Sequence, residues 1–150
     1  MSLRARRLAV AGLSFAGIAE ALYMLAYDEG LLDTLWCPFF GKGCEIVGRS
    51  KHAKHLGVPN AAVGAVAYAG MAALALWAGD KRDRRWQPVA LSAMSATATA
   101  ASAFLIYEQA TKVRAWCFWC LSTAAINALI LPISVIDAGK ALGASRAGTI

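Results

Sequence analysis

At 150 residues the chain has the length of one domain, and its 59% apolar composition and mean hydropathy of +0.51 exclude an ordinary soluble one. A net charge of +6 is compatible with nucleic acid, but the fifteen Lys and Arg gather in short segments between apolar runs instead of along one amphipathic face. They read as topology signals in a membrane protein without a nucleic-acid partner.

A helix needs about 20 apolar residues to cross a hydrocarbon core of about 30 Å. Four runs qualify, and they predict helices over 8–27, 60–78, 89–107 and 117–136, with a long loop over 28–59. The first run follows Arg4, Arg6 and Arg7 as a signal peptide does. It is longer than the usual apolar region of such a peptide and has no small-residue cleavage site before Asp28, so it is expected to stay attached. Glu20 is the only acid inside a predicted span, a position that calls for a partner or a function.

The N-terminal arginines and the connection bearing Lys81, Arg82, Arg84 and Arg85 fall on one face, and four spans return Lys140 and Arg146 to it. Nine basic residues then stand inside against six outside, namely Lys42, Arg49, Lys51, Lys54, Lys112 and Arg114. This puts both termini in the cytoplasm. All four cysteines fall on the opposite face, which fits a disulfide-permitting compartment.

The third span is rich in small residues. Ser92, Ala96 and Ala100 form one i+4 line, and Ser95, Thr99 and Ala103 the next, a pattern suited to close helix packing in lipid.

The sharpest feature is Trp116-Cys117-Phe118-Trp119-Cys120, a C-x-x-C motif at the start of the fourth span. Unpaired amides and the dipole of a helix start stabilise a thiolate, the species that attacks a disulfide or an electrophilic quinone. Two intervening residues put both sulfurs within about one turn, in reach of a reversible disulfide. The second pair, Cys37 and Cys44, brackets Pro38, Gly41 and Gly43, which permit a bend that brings the sulfurs together. A structural disulfide and a redox relay are both open for this pair.

A zinc site built from the four cysteines is the metal-binding alternative, but six residues between Cys37 and Cys44 exceed the usual two to four. His52 and His55 read as solvated loop residues, and the lysines around them repel a cation. No metal is expected. Trp36, Trp116 and Trp119 stand where aromatic belts anchor helices at an interface, with Trp119 close enough to line a pocket.

In order along the chain, Cys37, Cys44, Ser50, Gly57-Val58-Pro59-Asn60, Gly64, Tyr68, Cys117-Phe118-Trp119-Cys120 and Asn127 resemble the vitamin K epoxide reductase family, particularly its single-domain prokaryotic homologues. The resemblance implies one membrane domain over residues 1–150, an all-α bundle of four transmembrane helices around a quinone pocket, capped on the extracytoplasmic side by the 28–59 loop. It implies an enzyme, a thiol:quinone oxidoreductase in disulfide-bond formation, in which Cys37 exchanges with a thioredoxin-like carrier. Cys44 then passes electrons to Cys117, and Cys120 faces the quinone, whether ubiquinone, menaquinone or a vitamin K. Asn60 aligns with a position that hydrogen-bonds a quinone carbonyl in some members, and Ser50 with one that organises the relay.

Ala124 departs from the family. Members close to the vertebrate enzymes carry tyrosine there, so reduction of the vitamin K epoxide is placed in doubt. With no thioredoxin-like domain after Ile150, the carrier is expected to be a separate chain. The lack of a C-terminal ER-retention signal points to a prokaryotic plasma membrane. The bacterial disulfide oxidases of the B family also use four helices, but their C-x-x-C opens the second helix, not the fourth. A non-catalytic membrane scaffold is the remaining alternative.

Overall fold

A computed structural model describes residues 1–77 and 86–147, the last four of these by backbone alone. Helix α1 spans Leu3–Asp28, the short α2 Gly43–Arg49, α3 Asn60–Trp77, α4 Trp86–Glu108 and α5 Phe118–Ala147. Four of them, α1, α3, α4 and α5, are long and apolar enough to cross a membrane. The four spans predicted from run length are therefore present, with different ends.

Helix α1 begins five residues earlier than expected because the Ser2 hydroxyl caps it, accepting from the Ala5 amide at 3.1 Å. The arginines lie inside the helix, where that side chain is well tolerated. Helix α4 runs past Tyr107 and continues through a π-turn, Gln109–Val113. Helix α5 starts at Phe118 and continues well past 136, so Cys117 stands just outside it as its capping residue. The basic cluster Lys81, Arg82, Arg84 and Arg85 and the predicted end of the second span at 78 lie outside the described residues.

Helix α1 packs along α3 and α4 along α5, with α1 also touching α5, while α3 and α4 meet lightly. Val10, Ala11, Tyr68, Met71, Leu91, Ile126 and Ile130 form the bundle core. Large apolar side chains such as Phe15, Leu22, Val66, Phe104 and Leu129 point outward, the arrangement lipid rewards and water penalises. Polar ties cross the bundle: Ser95 Oγ to Ser134 Oγ at 2.7 Å, Asn127 Nδ2 to Ser102 Oγ at 2.8 Å and Tyr68 OH to the Thr123 carbonyl at 3.1 Å. Of the two small-residue lines on α4, Ser95 and Thr99 carry the contacts to α5, whereas Ala96 and Ala100 are exposed.

The loop over the bundle folds on itself. After α2, a 3₁₀ turn at Lys51–Ala53 leads into a two-stranded hairpin, β1 Lys54–His55 and β2 Val58–Pro59, with His55 opposite Val58. Leu56 and Gly57 both have positive φ, 53° and 78°, as a two-residue hairpin turn requires. Among the described residues this ribbon is the one departure from an all-α fold.

At the far end, Arg6 Nε donates to Asp137 Oδ1 at 2.6 Å, and the same guanidinium reaches the Met1 carbonyl. The pair joins the start of α1 to the later turns of α5, so these two segments share the end of the bundle opposite the cysteines. Its side chains are only 10% and 8% exposed. Removing one partner strands a buried charge, and Asp137→Ala is expected to cost about 3–5 kcal/mol. Thermal unfolding in detergent should register that loss, and Arg6→Met combined with Asp137→Leu should recover most of it.

Candidate active site

The chain between Cys37 and Cys44 turns on Phe39 and Gly41, both with positive φ, before α2 begins at Gly43. The turn returns Cys44 to Cys37, and the two form a disulfide with Cα atoms 5.6 Å apart. Cys44 is fully buried and Cys37 is 8% exposed. The disulfide packs in one apolar cluster with Cys117, Met24, Tyr27, Leu35 and Val47, and Trp119 and Cys120 border it. Both cysteine pairs therefore share a single packed region.

Gly43 sets the closeness of that packing. A Cβ at this position would overlap the carbonyl oxygen of Trp116, the residue before Cys117. Trp119 holds the other side of the loop, its Nε1 donating to the Trp36 carbonyl at 2.7 Å, and Trp36 N donates to Tyr23 OH at 3.1 Å. Trp119 also meets Tyr23 and Phe118 edge to face, so it serves as a tie between helix and loop as well as a pocket wall.

Cys117 and Cys120 are free thiols. The Cys120 amide lies 3.4 Å from Cys117 Sγ, the geometry of a helix N-cap with sulfur in place of a serine or aspartate oxygen. The Cys120 thiol holds Cys117 below the usual thiol range, the amides of Cys120 and Trp119 add to this, and burial opposes it. The Cys117 amide in turn donates to Gln109 Oε1 at 2.9 Å, which ties the C-x-x-C to the π-turn of α4.

Behind Cys120 lies a cavity of about 100 Å³, walled by Glu20, Met24, Ser50, Asn60, Glu108 and Trp119 among others. It shares Asn60, Ser102, Leu105 and Thr123 with a second opening of about 640 Å³ between α3 and α4, lined by apolar residues that include Val63, Ala67, Met94 and Phe104. A small chamber beside Cys120, mostly apolar but edged by Glu20, Ser50, Asn60 and Glu108, thus adjoins a greasy cleft on the lipid-facing side.

The remaining residues singled out in the sequence stand around this chamber. Asn60 donates from Nδ2 to the His52 carbonyl at 2.7 Å and its Oδ1 bonds His55 Nδ1 at 2.8 Å, so the amide fastens the hairpin while forming cavity wall. Ser50 closes α2, its hydroxyl donating to the Val47 carbonyl at 2.7 Å. Glu20 accepts from Ser122 Oγ at 2.6 Å and Thr123 Oγ1 at 3.2 Å, which gives the intramembrane acid its partners on α5. Asn127 and Tyr68 tie the bundle together.

The expectation for His52 and His55 is corrected. They are not free solvated side chains: His52 Nδ1 is 3.0 Å from Glu108 Oε1 and His55 Nε2 is 3.4 Å from Glu108 Oε2. Glu108 and Gln109 are not marked by run length, because the apolar run ends at Tyr107. An acid-amide pair directly after such a run, in helix-forming sequence, was the available signal.

A family model, Vitamin K epoxide reductase family, matches residues 8–135. The chain belongs to that family. Membership in the vitamin K epoxide reductase family brings quinone-linked redox chemistry, and hence an oxidoreductase, in a membrane-embedded bundle. The matched region contains all four cysteines and every residue of the cavity wall.

Two outcomes follow from this geometry. In the reduced protein, the ultraviolet absorbance of the Cys117 thiolate should persist to lower pH than that of an ordinary cysteine, fading only as pH falls through its depressed value, and Cys120→Ala should shift the titration upward. With Cys37 and Cys120 both replaced by alanine, Cys44 and Cys117 should cross-link under mild oxidant. Adding Gly43→Ala should slow that cross-link about 100-fold by pushing α2 off Trp116, as measured by timed alkylation and mass analysis.

Proposed function

We propose that this protein is a thiol:quinone oxidoreductase that oxidises a separate thioredoxin-like carrier and reduces a membrane quinone, supplying disulfides to exported proteins. The observation that carries the reading is the packing of the Cys37–Cys44 disulfide and Cys117 in one buried cluster, with Cys120 on a cavity beyond it.

Cys37 is 8% exposed whereas Cys44 and Cys117 are fully buried, which supports a relay running from outside inward. A carrier thiolate attacks Cys37 Sγ and breaks the Cys37–Cys44 bond; the second carrier thiol resolves the mixed disulfide and leaves both loop cysteines reduced. Cys44 then attacks Cys117 in an oxidised Cys117–Cys120 pair, expelling Cys120 as thiolate, and Cys37 resolves the bond to Cys44. The reduced C-x-x-C re-forms its disulfide by giving two electrons to the quinone, which also takes up two protons. Quinone pools are more oxidising than dithiols, so the flow runs in this direction.

Trp36, 69% exposed, and Phe39, 91% exposed, flank Cys37 and give a carrier an apolar surface to grip. The cleft between α3 and α4 suits an isoprenoid tail, and the chamber behind Cys120 suits the ring, with Asn60 and Trp119 on its wall and Ser50 holding the loop beside it. The Cys37–Cys44 bond removes two thiolates from any four-cysteine metal site in this state. The excess of arginine and lysine on the side of the termini supports an orientation with the cysteines on the extracytoplasmic side.

Anaerobic quinone reduction by the purified protein tests the proposal. Cys120→Ala should abolish turnover with every donor, whereas Cys37→Ala should abolish it with a thioredoxin-like donor and spare part of it with a small dithiol. Turnover indifferent to Cys120, or none in folded wild type, would sink the reading.

A further inference from the structure

Glu108 is 3% exposed, sits near the end of a membrane helix and forms part of the wall of the cavity that holds Cys120. Its two oxygens are treated differently. Oε1 accepts from Lys112 Nζ at 3.0 Å and faces His52 Nδ1 at 3.0 Å, while Oε2 is buried and accepts no hydrogen bond. His55 Nε2 lies 3.4 Å from Oε2. A carboxylate oxygen left unpaired in a buried site is costly unless it exchanges a proton or meets a ligand.

The tautomer of His55 follows from its neighbour. Asn60 donates from Nδ2 to the His52 carbonyl, so its amide orientation is fixed and Oδ1 is the atom facing His55 Nδ1. Nδ1 must then carry the hydrogen, which leaves Nε2 free to gain or lose a proton beside Glu108 Oε2. The His55 side chain is 44% exposed and that of Glu108 is 4% exposed, so the two span the distance from water to the cavity.

We infer that His55 and Glu108 relay one of the two protons of quinone reduction from water to the quinone. The inference rests on the quinone-reductase reading proposed above. Reduction of the quinone requires two electrons and two protons. Cys117 as thiolate and Cys120 as thiol supply both electrons on forming their S–S bond, but only one proton, which Cys120 gives to one ring oxygen. The second proton passes from solvent to His55 Nε2, from there to Glu108 Oε2 and on to the other oxygen, so Glu108, a carboxylate paired with Lys112 at 3.0 Å, carries it only in transit. Charge and atoms balance: thiolate, thiol, quinone and one proton yield a disulfide and a quinol. His52 and Lys112 hold Oε1, so the proton in transit passes over Oε2. The other titratable groups on the cavity wall are Glu20 and Asp28 from α1, and Glu20 is engaged by Ser122 and Thr123.

The test separates the two half-reactions in single-turnover mixing. Pre-reduced protein is mixed with a short-chain ubiquinone, and oxidised protein with a small dithiol. Glu108→Gln, which keeps the shape of the side chain, should slow the quinone half-reaction about 100-fold and leave the thiol half-reaction at the wild-type rate. His55→Ala should slow the quinone half-reaction likewise, and added imidazole should restore it. Wild-type quinone rates in Glu108→Gln would overturn the proton route while leaving the proposed function standing. Equal slowing of both halves, with no imidazole rescue of His55→Ala, would reduce Glu108 to a tie for the loop and overturn it as well. Should Glu108→Gln fail to fold, the His55→Ala experiment decides alone. Absence of quinone reduction in the wild type would instead remove the enzymatic reading on which the route rests.

Discussion

The contact between Gly43 and the Trp116 carbonyl is the constraint on which the rest of the site depends. Thiol exchange requires sulfurs in near contact, and an intramolecular attack gains most of its rate from being held in that arrangement. The loop carrying Cys37 and Cys44 has no long element of its own to hold it there. It is seated by a backbone-to-backbone approach that a side chain at residue 43 would prevent, and it is kept in place by Trp119 on the Trp36 carbonyl and by Asn60 on the hairpin. Each tie comes from the first turn of a membrane helix, so the rigid bundle sets the position of the cysteine loop.

The bundle is uneven in how its helices are joined. Hydrogen bonds from serine, asparagine and tyrosine side chains connect α4 to α5 and α3 to α5, where lipid offers no competing partner. The interface between α3 and α4 is lightly packed, and that is where the large apolar cleft opens. In the proposed reaction a lipid-soluble substrate therefore has a sideways approach from the bilayer, while the thiol carrier has only the aqueous face beside Cys37.

Much of this was legible in the chain. Four long apolar runs fixed the spans, because no other element satisfies its backbone in hydrocarbon, and the ordered cysteines with Asn60, Tyr68 and Asn127 carried the family. Helix ends were less legible. Hydropathy reports where lipid begins and ends, whereas hydrogen bonding decides where a helix does, so Arg4, Arg6 and Arg7 were read as a flank although Ser2 caps a helix that includes them. Glu108 and the two histidines escaped for a related reason: a carboxylate just past an apolar run looks solvated until the fold brings His52 and His55, more than fifty residues away in the chain, against it. The role of Gly43 had no local signal, since the residue it must admit is Trp116.

The π-turn at the end of α4 has a bearing on how the family site can vary. In a regular α-helix each residue is rotated by about 100° from the last, so adjacent side chains diverge. Here the widened turn begins at Gln109, directly after Glu108, and both residues are buried, one toward the histidines of the loop and the other toward the Cys117 amide. Such a turn holds one residue more than an α-turn. That surplus residue makes the segment 109–113 intolerant of length change: losing a single position would tighten the turn into ordinary helix and swing the following chain out of phase. Point substitutions at its exposed positions leave the phase intact, so in this stretch spacing is under tighter constraint than composition.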